Sequence, residues 1–225
     1  MIRISHTVSL QRTALALLLA LGVSQAKATL VALDLNPSGL NAPVGSSSNS
    51  YTQSGYTITA TGYDNPTTTH ELFFKNGGVG ETGLGLVNTN DNELQVNNGV
   101  PANYIQLDLH TLLSAGFTNG KIEVGSVQPN ESFSLYGSST AGTLGAFLGT
   151  FGSSSNDLFV DVPKFGTYDY VSVAAASADV LPVAFEAVST PVPEMNALLP
   201  IVGLLSAVAV GEVLRRRKLA LTALN

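Results

Sequence analysis

Asn88-Thr89-Asn90-Asp91-Asn92-Glu93 crowds hard oxygen donors into one short stretch. Calcium takes roughly six to eight such oxygens. Asn88, Asn90, Asp91 and Glu93, joined by Glu81 and Asp108 from neighbouring segments, therefore form a candidate structural calcium site. The stretch is not an EF-hand, because Glu93 stands at the sixth position, where that loop needs glycine, and Gly99 at the twelfth, where it needs glutamate. Asn and Asp also favour turns without any metal, so a solvated Asx-rich turn is the plainer reading of the same residues. No other cofactor is implied.

The remaining reactive residue types form no recognisable catalytic set. Gly78-Val79-Gly80-Glu81-Thr82-Gly83 matches G-x-G-x-x-G, but that phosphate-binding turn must open a helix, and Gly83-Leu84-Gly85-Leu86-Val87 reads as a strand. No G-x-S-x-G elbow occurs, and His70 and His110 fall in different segments without a patterned partner, so both read as surface or loop histidines. Fourteen acids between Asp34 and Glu186 leave a carboxylate pair for glycoside hydrolysis open, yet no spacing singles one out. The sequence is read as that of a non-enzyme.

The elements that position these residues repeat every two residues. Tyr56–Ala60, Tyr104–Leu109, Lys121–Val124, Ser132–Tyr136, Asp169–Val173 and Val183–Val188 all alternate, each predicting a strand with one wet face. Ile105, Leu107 and Leu109 share one such face. Asn76-Gly77-Gly78, Asn97-Asn98-Gly99, Thr118-Asn119-Gly120, Gly137-Ser138-Ser139 and Gly152–Asn156 read as turns between strands, and Leu109–Gly116 as one helical turn. Asn36–Ser54, rich in Ser, Asn, Gly and Pro, reads as a long loop or a loosely held first strand. The expected class is all-β, an antiparallel β-sandwich of jelly-roll type, with a β-barrel as the structural alternative.

Both ends carry targeting signals. Arg3, His6 and Arg12 precede the apolar run Ala14–Val23, and Ala26-Lys27-Ala28 offers the small residues a signal peptidase accepts, so residues 1–28 read as a signal peptide and Thr29 as the mature start. Residues 29–190 form one domain with three lysines, no arginine and fourteen acids, a net charge of −11 that repels nucleic acid. Cysteine is absent, so an exported domain must hold together without disulfides. Residues 191–196 read as an extended, proline-braced linker, 197–214 as a transmembrane helix of about 27 Å at 1.5 Å per residue, and 215–225 as a basic cytoplasmic tail. The cluster Arg215, Arg216, Arg217 and Lys218 belongs on the cytoplasmic side, which leaves the domain on the periplasmic side.

Val192-Pro193-Glu194-Met195, an apolar helix and the Arg-rich cluster, in that order, resemble the tripartite C-terminal sorting tail of exosortase substrates, the PEP-CTERM family. Met195 stands where the usual motif has proline, a variant form. The resemblance implies a Gram-negative bacterial protein whose tail is recognised by an exosortase-like membrane enzyme, removed near Glu194, and whose domain is delivered to the cell surface or medium. Glu81–Leu86, Asp91–Leu94, Gln106–Leu109, Tyr136–Ser138 and Tyr168–Val171 resemble, more loosely, domains that precede such tails, and no catalytic activity follows from them. The expected function is a non-catalytic cell-surface or extracellular-matrix protein of the biofilm, with exopolysaccharide as the partner. A carbohydrate-binding module is the alternative, for which Tyr51, Tyr56, Tyr63, Tyr104, Tyr136, Tyr168 and Tyr170 are available, and a secreted hydrolase ranks last.

Overall fold

The computed structural model describes residues 28–190, 203–212 and 214–215. Ala28–Thr190 form a compact unit of their own. It is all-β, with every pair of named strands antiparallel.

With strands numbered in chain order, one sheet runs β1 (Leu30–Asp34), β16 (Leu181–Ser189), β11 (Phe117–Gly125), β14 (Phe159–Asp161). The largest runs β13 (Ala146–Gly152), β12 (Ser132–Ser138), β15 (Tyr170–Ser177), β10 (Asn103–Asp108), β4 (Tyr56–Asp64), β3 (Ser48–Gln53), with the short β5 (Thr68–His70) also on β4. A third sheet joins β2 (Ala42–Pro43), β6 (Leu72–Asn76) and β7 (Thr82–Leu86), and β8 (Val96–Asn97) pairs with β9 (Val100–Pro101). One short helix, α1 (His110–Ser114), lies where a single helical turn is expected.

Alternation decides what each strand buries. Val31 and Leu33 of β1, Ile122 and Val124 of β11 and Phe185 and Ala187 of β16 enter one continuous core with Ile58, Ile105, Leu107, Phe133, Leu135 and Val173 from the largest sheet. Each buried Leu, Ile or Phe stabilises by about 1.5–3 kcal/mol relative to exposure, and in a chain without cysteine this burial replaces covalent bracing.

Four expectations need correction. Gly137 and Ser138 are not a turn but the end of β12, paired with Val171 and Tyr170 of β15. Thr118-Asn119-Gly120 is not a turn but the first part of β11, where a register shift between Phe117 and Asn119 lets Phe117 stay buried while Ile122 and Val124 keep the core face. Asn36–Ser54 is not wholly a loop: β3 pairs with β4 along its full length, closed by Ser54 and Gly55, both at positive φ as a tight hairpin turn requires. β10 is wet only at its end, Asp108, since Tyr104 and Gln106, which alternate with Ile105 and Leu107, are buried too.

In the tail, residues 203–212 and 214–215 are helical. Among the described residues no helix is long and apolar enough to cross a membrane. The rest of the expected span, residues 197–202 and 213, lies outside the described residues, as do Ala26, Val192, Pro193, Glu194, Met195, Arg216, Arg217 and Lys218.

Candidate functional site

The outer face of the largest sheet is built from hydroxyls, tyrosines and one carboxylate. Cross-strand register places Ser50 beside Thr59, Thr59 beside Asp108, and Asp108 beside Tyr170. The next row sets Ser48, Thr61, Gln106, Ser172 and Tyr136 side by side. These side chains share a face because each sits at the same parity along its strand.

A loop covers part of that face. Residues 139–145, between β12 and β13, fold back over β15 onto β10. The Gln106 Nε2 amide donates to the Thr143 carbonyl at 2.9 Å, and its Oε1 accepts from the Gly142 amide at 2.8 Å. The Tyr104 hydroxyl donates to the Gly142 carbonyl at 2.7 Å, and burial pushes its pKa up to about 12, so it stays a donor. Under the loop, Tyr63 and Tyr104 stack with ring centres 5.2 Å apart, and Leu144 and Tyr136 complete a small second core.

Beside the loop the face stays open as a groove of about 170 Å³, lined by Thr59, Thr61, Tyr63, Asp108, Ala141 and Tyr170, with Gln106 at its base. Asp108 is fixed there by α1: its Oδ1 accepts from the His110 backbone amide at 2.9 Å and from His110 Nδ1 at 2.8 Å. The His110 ring meets Tyr170 edge-on at 5.3 Å, and Nε2 lies 3.7 Å from Asp169. The bond to Asp108, together with the Asp108 and Asp169 charges, raises the His110 pKa against slight desolvation. Burial and the same two carboxylates raise that of Tyr170, which keeps its hydroxyl proton. A larger opening, about 390 Å³, lies along β1 and β3, a seam between two sheet edges whose one acid, Asp34, already accepts from the Asn36 amide.

The oxygens expected around calcium are split. Glu81, Asp91 and Glu93 do converge, and the cation they face is the Lys75 ammonium of β6: Asp91 Oδ2 is at 2.5 Å, Glu81 Oε2 at 3.8 Å, and Glu93 Oε1 is a third partner. Lys75 and Glu93 are buried at 4% and 2% exposure, and the Ser126 hydroxyl donates to Glu93 at 3.0 Å. Burial raises the Glu93 pKa, while Lys75 and Ser126 pull it down. Burial lowers that of Lys75, but the bonds and charges of Asp91 and Glu93 outweigh it, so the ammonium is held charged. Asn90 instead donates to Asp179 at 2.7 Å, Asn88 uses its backbone amide to bond Asn92, and Asp108 belongs to the groove. Among the described residues no group of three or more His, Cys, Asp or Glu is arranged to hold a metal ion.

The G-x-G-x-x-G match spans the β6–β7 turn and enters β7, with no helix after it. His70 is paired after all, between Asp64 and the Val87 carbonyl. Of the seven tyrosines, Tyr51, Tyr63 and Tyr104 are buried, Tyr56 packs on Phe117 at 4.9 Å, and Tyr168 lies against Gly137. Tyr136 and Tyr170 remain partly exposed on the outer face. Thr59, Thr61 and Gln106 escape a reading by motif, though the alternate hydroxyls of Thr57, Thr59 and Thr61 are a visible signal of one polar strand face. Compared with known proteins, the chain matches no family model, no curated protein and no solved structure.

Proposed function

We propose that this is a non-catalytic protein exported to the cell surface or extracellular matrix of a Gram-negative bacterium, tethered first by its C-terminal helix and released through an exosortase-recognised tail. Signal peptidase acts at Ala28, and the processing enzyme acts near Glu194. We read the exported domain as a jelly-roll sandwich, a reading supported by the one core to which both large sheets contribute.

The observation that carries this reading is where the domain closes. Thr29 and Ser189 hydrogen-bond to each other in both directions at 2.9 Å, completing the β1–β16 pair. The two targeting segments thus border one closed strand pair, and removing both leaves every named strand intact.

Mass spectrometry of the protein from membrane and medium, with and without the processing enzyme, tests it. A chain that begins at Thr29 and ends near Glu194 only when the enzyme is present is the expected result. A full-length chain from Thr29 in both strains would reduce the tail to an ordinary anchor.

A second reading, a carbohydrate-binding module, is favoured by the groove at Asp108 and Tyr170. Hydroxyls, a fixed carboxylate and a partly exposed tyrosine on one sheet face are the groups that hold a sugar ring.

A further inference from the structure

We propose that the groove between the 139–145 loop and His110 binds an internal stretch of neutral polysaccharide and refuses polyuronates, an inference that rests on the carbohydrate-binding reading. Shape comes first. At about 170 Å³ the groove is smaller than the roughly 300 Å³ at which ligand pockets usually begin, so it takes about one sugar ring. Its row continues across strands from Tyr170 and Asp108 to Thr59 and Ser50. Four strands at about 4.8 Å spacing give a track of roughly 14 Å, long enough for neighbouring rings on an exposed polar surface. The track is open at the β3 edge, where Ser50 is exposed, so a chain need not end there.

Chemistry sets the class. Among the described residues Asp108 Oδ1 is taken by His110, and Oδ2 is left to accept from a sugar hydroxyl. Tyr170, braced by His110, offers a ring face and a donor hydroxyl beside it, and Thr61 adds a second hydroxyl. No lysine or arginine lines the groove. Lys75 is buried among three carboxylates, Lys121 faces Asp161 on another sheet, and Lys164 is exposed on the 162–167 loop. A carboxylated sugar brought to Asp108, with Asp169 also near, meets two carboxylates against the single imidazole of His110, within a Debye length of about 8 Å and with no lysine or arginine in the lining to hold it.

Affinity electrophoresis of the purified full chain tests this in native gels cast with neutral β-glucan, neutral galactomannan, dextran or the polyuronate alginate. Retardation in at least one neutral gel and none in alginate is expected. Replacing Tyr170→Ala should weaken that retardation about tenfold, the size of a lost aromatic anchor. Thr61→Val, which keeps the side-chain volume, guards against a folding defect and should weaken it several-fold while the circular dichroism spectrum stays that of the parent. Stronger retardation by alginate overturns the neutral class but leaves carbohydrate binding standing. A neutral-gel shift untouched by both variants overturns this groove as the site. Free migration in all four gels overturns the proposal together with the carbohydrate-binding reading, while export and tail processing are decided separately by the mass measurement.

Discussion

His70 has an acceptor at each ring nitrogen: Asp64 Oδ1 lies 2.8 Å from Nδ1 and the Val87 carbonyl 2.6 Å from Nε2. A neutral imidazole carries one N–H and can satisfy only one of them, so this geometry favours the doubly protonated cation and leaves no lone pair for general-base work. Burial lowers the pKa, but the bonds to Asp64 and Val87 and the charges of Asp64 and Glu71 outweigh it, and the result is raised above 6.5. A group whose folded pKa lies above its unfolded value stabilises fully below the unfolded pKa and loses that contribution as pH rises through the folded one. The domain should therefore lose stability as pH climbs from about 6.5 through the His70 transition. His70→Gln should flatten that part of the curve, measured by urea denaturation at a series of pH values with the ring followed by NMR. An unchanged slope in the variant, or a ring titrating below 6.5, would sink the assignment.

Segments are fixed by what they pack against as much as by their own pattern, and the Asn88–Glu93 loop shows it. Its chain lies so close to β7 that a side chain at Gly85 would collide with the Asn92 carbonyl oxygen, and its far end is fastened by Glu93 and Asp91 to Lys75 on β6. Removing the cation leaves Glu93 buried without its counter-charge, which costs about 3–5 kcal/mol for a broken buried pair. Lys75→Met should destabilise by about that amount, and adding Glu93→Leu should recover most of it, since an apolar pair of similar size is close to neutral. Equilibrium unfolding of the single and double variants decides it. A double variant no better than the single one would mean that the ion pair is not what fastens the loop. This loop also marks how far a sequence can be read. The crowding of oxygens at Asn88–Glu93 was visible, but Lys75 lies thirteen residues before Asn88 on another strand, and nothing local says that a lysine supplies the cation. The strands around Ile105, Leu107 and Phe185 were legible because alternation is a local signal. The burial of Tyr104 and Gln106 was not, because their cover comes from Gly142, 36 residues beyond Gln106. The same distance hid the groove, whose wall is that loop, and β11 hid its first residues behind a turn-like Thr-Asn-Gly that a bulge absorbs.

The whole domain carries fourteen acids against three lysines, and two of those lysines are already engaged by carboxylates, Lys75 in the core and Lys121 loosely with Asp161 at 3.9 Å. Eleven uncompensated negative charges repel one another over the surface of a domain of 162 residues. That field favours solubility and repels anionic polymers, and it works against compactness, because unfolding spreads the charges apart. Short pairs such as Lys75–Glu93 are buried and little screened, whereas the surplus acids are mostly at the surface, so added salt relieves repulsion more than it weakens attraction. Raising NaCl from about 10 mM to about 300 mM shortens the Debye length from about 30 Å to about 6 Å and should raise Tm by a few degrees. A thermal melt at constant pH reads this directly. Sodium chloride and tetramethylammonium chloride should act alike if the effect is screening, whereas a gain confined to one cation would point to a bound ion, and a fall in Tm would show that attractive surface pairs, not the surplus of acids, govern the electrostatics of the fold.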